Sequence, residues 1–259
     1  MITSSQNPKL KQARALLGRP KERREARAFA AEGIRLLEEA LTAGWPVRYI
    51  LYTDGLSQRG RALVTGFRER GLDVEEVSSD LLNAFSETES SQGIFGVLEE
   101  HSLPLPQDLD FALIPDQVRD PGNLGTLIRS AAAAGVGAVL LSPHNADAFA
   151  PKVIRSAMGA HFRLPLRVMD WEQITETIST SSLALHLADI QGKSCWETDL
   201  KVPIALIIGG EAEGASPEAL ALAPRRLTIP MPGGIESLNA GVAGSILMFE
   251  ALRQRTARS

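Results

Sequence analysis

"FALIPDQVRDPGNLGTLIRSAAAAG", residues 111–135, runs from an apolar stretch through a turn into a helical pattern. Phe111 to Ile114 are apolar without alternation, as in a strand covered on both faces. Asp120, Pro121, Gly122 and Asn123 then break the chain, and Asn123 is a candidate N-cap for the helix beyond the turn. Leu124, Leu127 and Ile128 recur at helical spacing among small residues. The alternation repeats downstream. "AVLLS" (138–142) leads into "PKVIRSAMGAHF" (151–162), and "LALHLAD" (183–189) and "PIALIIGG" (203–210) are further buried-strand runs. Strands of this kind alternating with helices specify an α/β doubly wound domain with a parallel sheet, over residues 111–259.

Ligands of such sheets lie beyond the carboxyl ends of the strands. Three loops there carry glycine and polar residues: "DQVRDPGNLGT" (116–126), "GGEAEGAS" (209–216) and "IPMPGGIESLN" (229–239). In the first, Arg129 follows the turn inside an otherwise small and apolar helix, where a charge must reach water, a partner or a ligand. Beyond the third, Leu238, Val242, Ile246 and Phe249 form one helical face, and Ala240, Gly241, Ala243 and Gly244 an adjoining face small enough for another backbone to approach. Ser237 reads as an ordinary N-cap of that helix. Asn239, read as lying just inside it, has no such explanation.

Upstream of residue 100 the elements are shorter. "NPKLKQARALL" and "ARAFAAEGIRLLEEALTAG" read as helical or helix-flanked, "VRYILYTD" as a strand, "SQRGRALVTGFRERG" as a helix, and "DVEEVS" and "GIFGVLEE" as strands. This is a small α/β layer domain. "HSLPLPQDLD", residues 101–110, has prolines and no period and reads as a linker.

The 259 residues are 44% hydrophobic and 22% charged, a globular composition without an apolar run of membrane-spanning length. The single cysteine, Cys195, excludes an internal disulfide and a cysteine-based zinc cluster. With no signal-peptide pattern at the start, the expected location is cytoplasmic and no membrane partner is expected. The four histidines lack metal-ligand spacing, so no metal is expected. A phosphate-binding P-loop is excluded because Leu187 stands where the "GKS" at 192–194 would need its first glycine. No G-x-G-x-x-G, G-x-S-x-G or H-E-x-x-H occurs.

Charge is unevenly placed. Residues 1–30 hold eight Lys or Arg against two Glu, although the chain carries a net −4. Lys9, Lys11, Arg23 and Arg24 there, with Lys152 and Arg155 of a second basic stripe, are candidate contacts for a polyanion; the competing reading is a pair of solvated helix faces.

Together "DPGNLGTLIRSAAAAG", "IIGGEAEGAS" and "IPMPGGIESLNAGVAGSILMFEALRQR" stand in the order and spacing of the three motifs of the SpoU class, or TrmH type, of the SPOUT RNA methyltransferases. "AFAAEGIRLLEEAL" through "SQGIFGVLEE" resembles that family's N-terminal substrate-binding domain, which is similar to ribosomal protein L30e. The resemblance implies an L30e-like domain over residues 1–100, a linker over 101–110, and a SPOUT methyltransferase domain over 111–259. It further implies a C-terminal trefoil knot, which no periodicity would suggest. The implied methyl donor is S-adenosylmethionine, the acceptor a ribose 2′-hydroxyl of RNA, and the assembly a homodimer formed through the knot region. Carried over by position, Asn123, Arg129, Glu211, Ser237 and Asn239 would be the catalytic set. Leu187, Ala188, Gly209, Gly210, Ile229, Met231 and Leu238 would bind the donor. The N-terminal domain favours ribosomal RNA of the large subunit (23S) as substrate. The alternatives are transfer RNA and a non-catalytic RNA-binding or assembly protein with the same fold. Two departures stand out: Gly210 replaces an asparagine common in the family, and "NAGVAG" replaces "NVSVA".

Overall fold

The computed structural model describes residues 1–84, 91–211 and 213–257. Its internal contacts divide the chain into two units, residues 1–101 with 149–162 and residues 102–148 with 163–259.

The first unit contains α1 (Pro8–Gly18), α2 (Pro20–Ala26), β1 (Ala28–Glu32), α3 (Ile34–Thr42), β2 (Val47–Tyr52), α4 (Gln58–Glu69), β3 (Val74–Glu76), α5 (Ser79–Asn83) and β4 (Ile94–Glu99). Its sheet runs β1-β4-β2-β3, with β4 antiparallel to β1 and β2 and β3 parallel to β2. Asn7 starts α1 by accepting from the Lys9 N–H at 2.9 Å, with Pro8 in the first turn. "AFAAE" is strand β1, where the periodicity predicted helix: Ala28 to Ala31 are all buried in pairing with β4, and tertiary burial outweighs a weak local preference. Phe29, Leu37, Ile50, Phe67, Phe95 and Leu98 fill the interior, each worth about 1.5–3 kcal/mol on burial. Helix α7 (Pro151–Ala157) packs on β1, and Phe149 meets Phe29 with ring centroids 5.0 Å apart.

The second unit contains β5 (Phe111–Asp116), α6 (Pro121–Ala133), β6 (Ala138–Leu141), β7 (Leu166–Val168), α8 (Trp171–Thr180), β8 (Ala184–Ser194), β9 (Ile204–Gly209), α9 (Pro217–Leu222), β10 (Arg225–Thr228) and α10 (Ala240–Thr256). All six strands are parallel, in the order β10-β8-β9-β5-β6-β7. The chain steps outward from β5 to β6 and β7, then returns to build β8, β9 and β10 on the other side. Its topological switch therefore lies between β5 and β9, where a ligand crevice is expected.

Helix α10 buries the small face and not the larger apolar one. Ala240, Gly241, Gly244, Leu247 and Met248 are buried, while Val242 and Phe249 are 45% and 46% exposed. The small face lies on α6: a Cβ added at Gly244 would stand 2.3 Å from Leu127 Cδ2, and Ser130 and Ser245 share a hydrogen bond of 2.7 Å. At its far end, Gln254 accepts from the Leu200 N–H at 2.9 Å and donates to the Thr198 carbonyl at 3.1 Å. No helix among the described residues is long and apolar enough to cross a membrane.

Candidate active site

The site begins where β8 leaves β9. Their pairing runs from Ala184↔Ile204 to Leu187↔Ile207 and stops, while β9 continues against β5 as far as Asp116↔Gly209. Strand β8 swings towards β10, whose register jumps from Arg226↔Leu187 to Leu227↔Lys193. Residues 188–192 bulge out, and a cavity of about 420 Å³ opens beside them. Ala188, Gly209, Gly210, Ile229, Met231 and Leu238 all line it, together with Glu211, Ser237 and Asn239. Leu187 is buried in β8 one residue short of the wall. Ala243, of the small helical face, also lines the cavity, as do Asp189, Ile190, Thr228 and Leu247, which carried no sequence signal.

A buried polar lattice fixes the loops around this cavity. Asp116, 1% exposed at the end of β5, accepts from the Ser142 hydroxyl at 2.7 Å and from the Ser216 N–H at 2.6 Å. It thereby joins the ends of β5 and β6 to the start of α9. Asn145 adds three bonds of 2.8 Å, accepting from the Val118 N–H and donating to the carbonyls of Pro115 and Ser142. Asp116 has no motif to mark it, but an acid closing an apolar run must find donors when buried, and that was its legible signal. The Gly210 departure has a steric basis here. A Cβ at that position would lie 2.2 Å from the carbonyl oxygen of Gln117, itself at φ 56°.

Three of the five expected catalytic side chains form one chain of hydrogen bonds. Asn239 Nδ2 donates to Asn123 Oδ1 at 2.9 Å, and Asn123 Nδ2 donates to a Glu211 carboxylate oxygen. The direction of this chain is set at its far end. Asn239 Oδ1 accepts from the Val242 N–H at 3.1 Å and so caps α10, which leaves only the amide NH₂ to face Asn123. Asn123 must then offer its own NH₂ to Glu211. Both cap assignments move accordingly: Asn239 caps α10 in place of Ser237, and Asp120 caps α6 in place of Asn123, accepting from the Asn123 N–H at 2.8 Å. Ser237 lines the cavity. Arg129 is exposed, makes no hydrogen bond or ion pair among the described residues, and stands outside this network.

The basic candidates separate by environment. Arg23 is 4% exposed and donates to the carbonyls of Leu16 and Leu17 at 2.6 and 3.2 Å, satisfying the end of α1. It is thus withdrawn from the surface on which a polyanion would lie. Lys9 pairs with Asp73 and Glu75. Lys11 and Arg24 are exposed, as is Arg14, which the sequence did not single out. Lys152 is exposed and Arg155 half-buried on α7, within the first unit.

Comparison with known proteins gives this geometry a context. Residues 110–249 match the family model described as SpoU rRNA Methylase family, and residues 7–96 that of the MRM3-like substrate binding domain. The chain is 34% identical over 251 residues to the 23S rRNA (guanosine(2553)-2′-O)-methyltransferase RlmP of Bacillus subtilis, covering 96% of this chain and 97% of that protein. The crystal structure of the SpoU methyltransferase AviRb of Streptomyces viridochromogenes in complex with AdoMet superposes with a TM-score of 0.86 at 32% identity, covering 96% of this chain and 99% of that one. The AdoMet-bound rRNA methyltransferase of Sinorhizobium meliloti gives 0.87 at 31% identity, over 99% and 98% of the two chains. The match spans the cavity, the three loops around it and the sheet that places them, and the chain belongs to the SpoU rRNA methylase family of methyltransferases.

Proposed function

We propose that the chain transfers a methyl group from S-adenosylmethionine to a ribose 2′-hydroxyl in 23S ribosomal RNA. The observation that carries this reading is the Asn239–Asn123–Glu211 chain of hydrogen bonds, whose two ends line the cavity that opens where β8 leaves β9 for β10. The cavity suits the donor: Ile208, Ile229 and Leu238 offer apolar walls for a heterocycle, the loop glycines bring backbone groups close, and Glu211 supplies negative charge for a cationic centre. S-adenosylmethionine supplies an electrophilic methyl on a sulfonium. Ala188, Gly209, Gly210, Ile229, Met231 and Leu238 are assigned to its binding, with Leu187 buried behind Ala188 in β8.

A ribose hydroxyl is a weak nucleophile, so the protein must hold it in line with the methyl and manage its charge and proton. We assign Arg129 to the target phosphate and to the oxygen on which negative charge develops. Its guanidinium, with a pKa above ~12, is a charge donor and not a base. Asn123, Asn239 and Glu211 hold the polar wall in one orientation, and Ser237 contributes a hydroxyl beside it. Residues 1–100, with Lys11 and Arg24, are assigned to RNA binding together with Lys152 and Arg155; 101–110 are assigned as linker and 111–259 to methyl transfer. The C-terminal segment is assigned to a trefoil knot, and the exposed Val242 and Phe249 to a homodimer interface. A cytoplasmic location accompanies this substrate.

The test is transfer of labelled methyl from S-adenosylmethionine into separately purified large-subunit, small-subunit and transfer RNA, followed by digestion to locate the label. Label on ribose in large-subunit RNA is expected, with Arg129→Ala slower by about 10²-fold, as for loss of one preorganised charge donor. Label in transfer RNA would replace the assigned substrate. Failure to bind the donor would reduce the chain to an RNA-binding protein.

A further inference from the structure

Two loops of the second unit are joined by a row of contacts that runs from its interior to the solvent. At the base, strand pairing ends at Asp116↔Gly209, and the buried Asp116 accepts from the Ser216 N–H at 2.6 Å. One step outward, Gly210 lies so close to the Gln117 carbonyl that a Cβ there would stand 2.2 Å from its oxygen. Gly210 also donates its N–H to the Gly214 carbonyl at 3.0 Å, which leaves Glu211 and Glu213 on the loop between the two glycines. Each of them reaches the first loop. Glu211 accepts from Asn123 Nδ2, and Glu213 Oε2 accepts from Arg119 Nη2 at 3.0 Å. The same Nη2 donates to Gln117 Oε1 at 3.2 Å, so Arg119 is held from its own loop as well.

The Arg119–Glu213 pair is the outermost contact of the row, with side chains 60% and 61% exposed. An exposed ion pair adds little to the stability of a domain, and here the buried Asp116 already fixes the base of both loops. Its consequence is local. Without it, the tip that carries Glu211 is tied to the first loop by the bond to Asn123, and a loop end held at one exposed point samples more than one arrangement. Charge leads to the same place. Glu211 and Glu213 are two carboxylates on one short loop, and like charges so near each other push apart. Arg119 cancels the charge of Glu213 and relieves Glu211 of that repulsion where it lines the cavity.

We propose that Arg119 is a positioning residue for methyl transfer: through Glu213 it holds the second loop so that the Glu211 carboxylate meets Asn123. Arg119 touches neither donor nor acceptor in this role. The proposal rests on methyl transfer as the function of the cavity and adds two residues that lie outside its wall.

The experiment is a double-variant cycle on the full chain: Arg119→Ala, Glu213→Ala and the two together. It is read by methyl transfer into the RNA that the unaltered chain labels, and by the proton signals of the Asn123 side-chain NH₂, identified by their loss in Asn123→Asp. Each single variant is expected to lower kcat at saturating RNA and donor about fivefold, the upper end for one exposed ion pair, and the double variant no further. KM for RNA should stay within about twofold, because no contact with RNA is removed. Thermal midpoints and S-adenosylmethionine binding, which report folding, should be little changed. In both single variants the Asn123 NH₂ signals should move alike, towards the position of an amide in water. An Arg119 that instead binds an RNA phosphate would raise KM and keep kcat, with Glu213→Ala indifferent; that result overturns the proposal. So do losses that add in the double variant, or Asn123 signals that neither substitution moves. If the unaltered chain labels no RNA, the methyltransferase reading fails by itself, and the Asn123 signals still decide whether Arg119 places Glu211.

Discussion

Asn239 has two roles that a single substitution can separate. Its side-chain oxygen caps α10 and its NH₂ orients Asn123. Aspartate caps as well as asparagine does, so Asn239→Asp should leave the thermal midpoint nearly unchanged. It cannot donate to Asn123 Oδ1, however. If Asn123 turns over to meet it, carbonyl oxygen faces the Glu211 carboxylate. Methyl transfer is expected to fall by about 10²-fold in a variant of normal stability, whereas Asn239→Ala should lose about 1 kcal/mol of stability as well. Comparing melting curves with turnover checks this. His186, 3% exposed in β8, leads to a prediction in pH. Burial, reinforced by the Arg225 charge, pushes its pKa down to about 4. Its Nδ1 has no hydrogen-bond partner among the described residues. The unfolded chain therefore binds a proton that the folded chain refuses between about pH 6.5 and about pH 4. Stability should fall as pH drops through that window, by on the order of 2–3 kcal/mol from this group. Denaturant unfolding of wild type and His186→Gln across the range should show a shallower acid loss in the variant.

At the scale of elements, the α6–α10 contact shows why a helix would tolerate interior glycines. Each costs about 1 kcal/mol relative to alanine, and in return the two axes approach until Gly241 meets Thr126 and Gly244 meets Leu127 and Ile208. Gly244→Leu has no space to occupy and should destabilise the unit by about 1–3 kcal/mol through overpacking. Because the same two helices carry Asn123 and Asn239 at their N-terminal ends, activity should fall more than stability alone accounts for. Chemical denaturation and turnover at a temperature where the variant remains folded would show it. The sequence marked this face as small enough for close packing, and its partner is now identified as α6. The lattice of Asp116, Ser142, Asn145 and Ser216 works at the same scale, setting loops of three elements at one height before any ligand arrives.

For the whole molecule the decisive quantity is where its cations point. The chain is acidic overall, so RNA affinity must come from local fields. Lys11 and Arg14 face solvent, while Lys9 and Arg23 are committed internally. Replacing Lys11 and Arg14 by glutamine should weaken RNA binding and reduce the slope of log affinity against log salt by about 1.4 to 1.8, the share of two phosphate contacts. Replacing Arg23 should instead lower the thermal midpoint, because two carbonyls at the end of α1 lose their donor. Titrations at several salt concentrations, set beside melting curves, distinguish the two classes of basic residue.

The central strands β5, β6, β8 and β9, the helices α6 and α10, and the three loops with their polar residues were legible in the sequence because each is a local matter: unbroken apolar runs for covered strands, glycine and proline for turns, and motif spacing for the family. "AFAAE" was misread because its strand state depends on β4, more than sixty residues away. Which residues cap α6 and α10, and hence which way the Asn123 and Asn239 amides face, emerged only from the folded geometry, since Asn123 and Ser237 read as the caps on paper. The same is true of the cavity, which exists because β8 leaves β9 at Leu187 for a shifted register on β10. Local patterns record what each segment prefers. Burial, pairing and charge compensation between segments distant in sequence decide which side chains are free to act.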